Sequence, residues 1–279
     1  MNNINANTAL YCIFGNPVRH SLSPVMQNAA FKASMIDAVY LAFEVKNIEN
    51  ALLAMKSLNI RGASVTIPFK IDVIDHLDEV DSLALEIGSV NTLHNVNGRI
   101  IGYNTDGYGA VDALINNNIQ IKDSNILIIG NGGSARAIAF TLIMQGANIF
   151  IAGRNAERMK PLVHDLRKKK PEIEYCLIKD ITLDFIKQID IIINTTSVGM
   201  TPNIDNTPID TDLIYSRHTI FDIVYSPNMT KLLLAGSDKN CKIVRGIEML
   251  INQGARQFEI WTGKKAQISV MEDVLRKYI

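Results

Sequence analysis

Asn125-Ile-Leu-Ile-Ile129 runs directly into Gly130-Asn-Gly-Gly-Ser-Ala135, and the reading of this junction decides the fold. The first five residues carry no polar alternation, which is the pattern of a strand buried on both faces beneath covering helices. The glycines that follow fit G-x-G-x-x-A. Gly130 permits a tight turn, Gly132 lets backbone approach a ligand, and Ala135 allows close packing of helix on strand. Asn131, Gly133 and Ser134 complete the loop, and helical spacing resumes over Ser134–Gln145. Strand, glycines and helix in that order are expected to seat a pyrophosphate on free N–H groups at the helix N-terminus.

The next strand, Asn148–Ala152, ends on Gly153-Arg154-Asn155, with Arg158 one turn later. A site that prefers NAD wants a carboxylate near this position to accept from the ribose 2′-hydroxyl. Two guanidiniums stand there instead and could clamp a 2′-phosphate, so the expected cofactor is NADP. Read blandly, both arginines are surface charges at a helix start, where the dipole disfavours a cation.

Outward from this core, short apolar runs alternate with helical patterns through most of the chain, predicting parallel sheets covered by helices. Strands are expected at Ala9–Gly15, Val39–Glu44, Gly62–Ile67, Ser89–Leu93, Ile100–Tyr103, Ile191–Asn194, Thr219–Asp222 and Lys242–Val244. Helices are expected over Pro24–Met35, Ile48–Leu58, Asp81–Ile87, from Asp106, and over Asn155–Lys170, Thr230–Ser237, Gly246–Trp261 and Gln267–Lys277.

A chain of 279 residues suggests two domains at roughly 150 residues each. With 47% hydrophobic and 20% charged residues it can bury a sizeable core. Lysine plus arginine number 28, as do aspartate plus glutamate, so neither nucleic acid nor an anionic membrane is the expected partner. The 3 cysteines, Cys12, Cys176 and Cys241, lack any Cys-x-x-Cys and suit a reducing compartment. No apolar run approaches the ~18 residues of a spanning helix, and MNNINANTAL lacks the basic and apolar regions of a signal peptide. A soluble cytoplasmic enzyme is the expectation. His76, His94, His164 and His218 share no ligand spacing, so no metal is expected. His20 sits beside serines, but no G-x-S-x-G elbow is present, and a hydrogen-bonded structural role is expected for it.

Along nearly its whole length the sequence resembles the shikimate dehydrogenases and their quinate/shikimate relatives. The matching segments are Gly15-Asn-Pro-Val-Arg-His-Ser-Leu-Ser-Pro24, Ser64-Val-Thr-Ile-Pro-Phe-Lys70, Gly88-Ser-Val-Asn-Thr92 and Gly102-Tyr-Asn-Thr-Asp-Gly107. Further on come the glycine loop, Asn194-Thr-Thr-Ser-Val-Gly-Met200, Asp222-Ile-Val-Tyr-Ser-Pro227, Gly246-Ile-Glu-Met-Leu250 with Gln253, and Trp261-Thr-Gly263.

The resemblance implies NADP-linked interconversion of 3-dehydroshikimate and shikimate, on the route to aromatic amino acids, with Lys70 and Asp106 as the catalytic pair. Hydride transfer to a ketone creates an alkoxide, which needs a proton or positive charge beside it. Without the resemblance, Lys70 and Asp106 read as two unrelated surface charges. The resemblance also implies substrate contacts at Ser21, Ser23, Thr66, Asn91, Tyr225 and Gln253. It puts Thr195, Ile223 and Gly246 near the nicotinamide half of the cofactor. The implied architecture is α/β with two α/β domains and a cleft between them. Residues 1–105, completed by C-terminal helices about 246–279, would bind substrate, and residues 106–245 would form a Rossmann-type dinucleotide-binding domain.

Four departures stand out. Ser64 occupies a position often held by Asn, so one substrate hydrogen bond is expected to be lost, shortened or water-mediated. Gln27 stands where His is common, Gly153 where Asn is usual, and Glu248 where glycine is frequent. The alternatives are a quinate/shikimate dehydrogenase using NAD or both cofactors, and a non-catalytic dinucleotide-sensing protein. The expected assembly is a monomer or homodimer.

Overall fold

The computed structural model describes residues 4–278, and the chain divides into two compact units. One runs through Asp106 and resumes over Ile251–Tyr278; the other is Gly107–Leu250.

The first unit contains β1 (Ala9–Gly15), α1 (Ser23–Ala33), β2 (Ala38–Glu44), α2 (Ile48–Ser57), β3 (Gly62–Val65) and a 3₁₀ turn at Asp72–His76. It continues with β4 (Glu79–Val80), α3 (Ser82–Ile87), β5 (Thr92–Val96) and β6 (Arg99–Tyr103). Local chemistry sets the helix starts. Proline opens α1. Asn47 caps α2 by accepting from the Asn50 N–H at 2.8 Å, and Asp81 caps α3 by accepting from the Leu83 N–H at 3.0 Å. The strands form one sheet in the order β2-β1-β3-β5-β6-β4.

Here an expectation needs correction, because this sheet is mixed rather than parallel. β1 runs parallel to β2 and β3, whereas β5 is antiparallel to both β3 and β6. Asn97 and Gly98, at φ 55° and 87°, join β5 to β6. A two-residue turn of this kind closes an antiparallel hairpin, whereas parallel strands need a crossover of about a dozen residues or more.

One core cluster gathers Phe14, Leu52, Met55, Val65, Phe69, Leu93 and Ile100. The C-terminal segment belongs to this unit because it supplies aromatic surface. Tyr11 lies 4.9 Å from Phe31 and 5.4 Å from Trp261 between ring centroids, and Phe31 lies 5.5 Å from Phe258. The Trp261 indole donates to the Leu93 carbonyl at 2.9 Å, satisfying its polar edge inside the core.

The second unit follows α4 (Asp106–Asn116) with β7 (Asn125–Ile129), α5 (Gly133–Met144), β8 (Asn148–Gly153), α6 (Ala156–Arg167), β9 (Glu174–Leu177) and α7 (Leu183–Ile186). Then come β10 (Ile191–Asn194), β11 (Thr219–Asp222), α8 (Lys231–Asp238), β12 (Lys242–Arg245) and the first turn of α9 (Gly246–Thr262); from Ile251 the chain belongs to the first unit, where α10 (Ile268–Leu275) packs on α1. This sheet is parallel throughout, in the order β12-β11-β10-β7-β8-β9. The order reverses between β7 and β10. In open α/β sheets such a reversal leaves a crevice at the carboxyl ends of the two strands, so the loops after Ile129 and Asn194 flank it.

Candidate active site

In the first unit, the loop after β3 carries Lys70 and is held by its own backbone. The Asn16 N–H donates to the Ile67 carbonyl at 2.9 Å, the Phe69 N–H to the Thr66 carbonyl at 3.0 Å, and the Val90 N–H to the Lys70 carbonyl at 2.7 Å. Buried Phe69 anchors the loop in the core. At the end of β6 the Asn104 side chain donates to the Ser89 carbonyl at 2.8 Å and accepts from the Asp106 N–H at 3.0 Å. That pins Asp106 at the first residue of α4, where the helix dipole favours a carboxylate.

These two constraints bring Lys70 Nζ to 2.5 Å from Asp106 Oδ2, with side chains only 14% and 6% exposed. The other carboxylate oxygen accepts from the Asn91 amide at 2.8 Å. Asn91 in turn accepts from the Thr105 N–H at 2.8 Å and from the Thr92 hydroxyl at 2.7 Å, and it donates to Gln253 Oε1 at 3.3 Å. Lys70, Asp106, Asn91 and Gln253 therefore form one connected buried group. A charged ammonium held against a carboxylate, away from bulk water, can stabilise an oxygen that gains negative charge or pass it a proton.

Ser21 and Ser23 stand at the start of α1 and bond to each other: the Ser23 N–H donates to the Ser21 hydroxyl oxygen at 3.2 Å. Leu22, at the N-cap, offers no side-chain bond, so the Ser21 hydroxyl shapes the turn into α1 without capping it. Thr66 lies half-buried in the loop that carries Lys70. Tyr225, half-buried after β11, belongs to the second unit. His20 is exposed.

Ser64 is turned into the fold. It is buried in β3, accepting from the Tyr40 hydroxyl at 2.6 Å and donating to Gln257 Oε1 at 2.8 Å. Its single proton is committed within the fold. Neither Gln257 nor Thr92 is among the site residues expected from the sequence, although Gln257 is one helical turn beyond Gln253 and shares its face.

In the second unit, Gly130 has φ +125°, and a Cβ there would lie 2.4 Å from Thr195 Oγ1. That hydroxyl donates to the Ile129 carbonyl at 2.7 Å, fastening the β10 loop beneath the glycine turn. Gly132 caps α5 without any side-chain acceptor, and a Cβ on it would meet nothing within 4 Å. The space beside Gly132, at the N-terminus of α5, is thus open, as an anion site at a helix start needs. Asn131 donates to the Arg158 carbonyl at 2.8 Å and ties the loop to the start of α6, where Arg154 and Arg158 are both exposed. Gly133 and Ser134 begin α5, and Ala135 is fully buried where helix meets strand. Gly153 also gains a physical account: a Cβ there would lie 2.7 Å from Met159 Sδ.

Across the ends of β10 and β11 runs a buried polar brace. Asp222 accepts from the Asn194 amide at 2.9 Å, the Val224 N–H at 3.0 Å and the Thr230 hydroxyl at 2.7 Å. Burial outweighs these three bonds and pushes its carboxyl up to about 6. Ile223 and Gly246 are brought together, since a Cβ on Gly246 would lie 2.4 Å from the Ile223 carbonyl oxygen. Glu248 accepts from Arg245 Nε at 3.0 Å and from the Asn117 side chain, so its carboxylate serves a local structural junction. Among the described residues, no group of three or more His, Cys, Asp or Glu side chains is gathered as metal ligands.

Comparison with known proteins accords with both halves of this geometry. Residues 13–93 match the shikimate dehydrogenase substrate binding domain, residues 113–233 the shikimate/quinate 5-dehydrogenase family, and residues 246–276 the shikimate 5′-dehydrogenase C-terminal domain. The shikimate dehydrogenase (NADP(+)) of Methanosphaera stadtmanae is 40% identical over 282 residues, covering 99% of each chain. A crystal structure of a shikimate dehydrogenase in complex with NADP+ superposes with TM-score 0.93 at 41% identity, covering 99% of this chain and 97% of that one. Another, shikimate 5-dehydrogenase from Listeria monocytogenes in complex with shikimate and NAD, gives TM-score 0.90 at 32% identity, covering 99% of each chain. A lysine–aspartate pair, a glycine loop at a sheet's reversal point and full-length similarity at this level converge on one conclusion: the chain belongs to the shikimate dehydrogenase family.

Proposed function

We propose that this chain catalyses the reversible NADP-linked reduction of 3-dehydroshikimate to shikimate, in the pathway to aromatic amino acids. The observation that carries the proposal is the Lys70–Asp106 pair, 2.5 Å apart and locked by Asn91 beside Gln253. NADPH, when bound, supplies the hydride. Lys70 presents its ammonium to the ketone oxygen as negative charge develops there, and Asp106 keeps that ammonium aimed. Asn91 and Gln253 add neutral donors and acceptors suited to ring hydroxyls. Ser21, Ser23, Thr66 and Tyr225 are proposed to complete recognition of the carboxylate and remaining hydroxyls.

The cofactor's fit is supported by the uncapped start of α5 and the open space over Gly132. Gly130, Asn131, Gly132, Gly133, Ser134 and Ala135 would cradle the pyrophosphate, Arg154 and Arg158 would hold the 2′-phosphate, and Thr195, Ile223 and Gly246 would wall the nicotinamide half. The first unit is proposed as the substrate-binding domain and the second as the dinucleotide-binding domain. A cytoplasmic location is supported by three free cysteines and by the lack, among described residues, of any helix long and apolar enough to cross a membrane. Monomer or homodimer is the proposed assembly.

The test is loss of NADPH absorbance on adding 3-dehydroshikimate to purified protein, with shikimate and quinate compared against NADP and NAD in the reverse direction. Lys70→Ala is expected to lower kcat by at least ~10²-fold while leaving substrate KM within a few-fold of the parent. Normal turnover in that variant would remove the assignment, and faster oxidation of quinate than shikimate would change the substrate.

A further inference from the structure

Behind the reacting pair lies a file of buried polar groups: Tyr40, Ser64, Gln257 and Thr92, all at most 4% exposed. Buried polar groups without partners are costly, and these four satisfy one another in a single direction. The Tyr40 hydroxyl donates to Ser64 Oγ at 2.6 Å, and Ser64 donates to Gln257 Oε1 at 2.8 Å. Gln257 Nε2 donates to Thr92 Oγ1 at 3.0 Å and to the Asn91 carbonyl at 3.2 Å. Thr92 donates to Asn91 Oδ1 at 2.7 Å, and Asn91 Nδ2 donates to Asp106 Oδ1 at 2.8 Å.

The direction is forced by counting protons. Burial pushes the Tyr40 hydroxyl well above its usual range and keeps it a donor. Ser64, accepting there, must send its one proton to Gln257, which turns the Gln257 oxygen toward Ser64 and its NH₂ toward Thr92. Thr92 then has its own proton left for Asn91 Oδ1. Asn91 Oδ1 thus accepts from the Thr92 hydroxyl at 2.7 Å and from the Thr105 N–H at 2.8 Å, and these two donors together hold the amide with its NH₂ facing Asp106. The reversed amide would set a carbonyl oxygen against a carboxylate, a repulsive contact.

We propose that Gln257, oriented by Tyr40 and Ser64 and acting through Thr92, is a positioning residue that fixes the Asn91 amide and thereby aims the Asp106 carboxylate at Lys70. Ser64 thus serves the geometry of the reacting pair rather than holding substrate directly. The inference rests on the dehydrogenase reading above.

The test compares Thr92→Val, Thr92→Ser, Gln257→Leu and Tyr40→Phe with the parent enzyme, reading kcat, KM for NADPH, near-ultraviolet circular dichroism and thermal midpoint. Misaiming a reacting group costs on the order of 10²-fold in rate. Thr92→Val and Gln257→Leu are expected to lower kcat by ~10–100-fold with KM for NADPH within about twofold, and Thr92→Ser to restore kcat to within about threefold. Tyr40→Phe keeps the ring and the fold, and is expected to lower kcat by a few-fold.

A purely structural role would lower thermal midpoints yet leave kcat unchanged below them. Parent-like kcat in folded Thr92→Val, or equal damage in Thr92→Ser, overturns the proposal. Should Gln257→Leu not fold, the Thr92 pair and Tyr40→Phe decide alone. An inactive parent enzyme would instead overturn the dehydrogenase reading, so the two failures are distinguishable.

Discussion

Asp222 offers the sharpest quantitative prediction, because its carboxylate is buried at the end of β11 and its carboxyl is pushed up to about 6 from 3.8. A raised folded-state value means that the folded protein holds a proton which the unfolded chain has released, between pH ~4 and ~6. Stability therefore falls as pH rises through that window and levels off above it, since it declines wherever the native state binds more protons. Each unit corresponds to 1.36 kcal/mol, so the loss attributable to this group is about 3 kcal/mol.

Asp222→Asn removes the titration. Its Oδ1 can still accept from Asn194 and Val224, while its NH₂ faces Thr230, whose hydroxyl must turn from donor to acceptor. That rearrangement costs about 1 kcal/mol at every pH. Relative to the parent, the variant is expected to be slightly less stable at pH 4 and more stable by about 2 kcal/mol at pH 7. At roughly 2–4 °C per kcal/mol for a unit of this size, the difference in midpoint should swing by about 6–12 °C. Scanning calorimetry of both proteins at half-unit pH steps measures it. A difference independent of pH, or one that swings the other way, would refute the desolvation argument.

Other expectations follow from single contacts. Arg154→Ala should weaken NADPH by about 10–100-fold, the worth of a charged hydrogen bond, and leave NADH nearly unchanged; fluorescence titration checks this, and equal losses would contradict it. Gly246→Ala should destabilise the second unit by at least ~2 kcal/mol, because the new Cβ meets unyielding backbone, the Ile223 carbonyl oxygen at 2.4 Å. Its melting temperature and NADPH affinity should fall together. Trp261→Phe strips the Leu93 carbonyl of its indole donor, and about 1–3 kcal/mol of stability should go with it, measured by urea denaturation monitored through far-ultraviolet circular dichroism.

The second unit was legible because its signals are local. Asn125–Ile129 is a strand from end to end as read, and α5 starts at the glycines. β9 and α7 were not foreseen: β9 is an edge strand of only four half-exposed residues, and a strand that buries neither face leaves no apolar run to read. The antiparallel hairpin in the first sheet was announced by Asn97-Gly98, a signal present in the sequence but overshadowed by the expectation of parallel strands.

The chain's own order of residues determined which segments would be strand or helix, and which loop would offer bare N–H groups to an anion. These properties depend on neighbours within a few positions, through glycine's backbone freedom and the periodicity of burial. Only the tertiary structure decided that Lys70 and Asp106, 36 positions apart, lie within hydrogen-bonding distance. It alone turned Ser64 inward to Tyr40 and Gln257, 193 positions on, and drew Trp261 back over the first sheet. Such partnerships arise when apolar surfaces from distant segments close together and leave each buried polar atom to find whichever partner the packing puts within reach. Local pattern records which side chains must leave water but not whom they meet there.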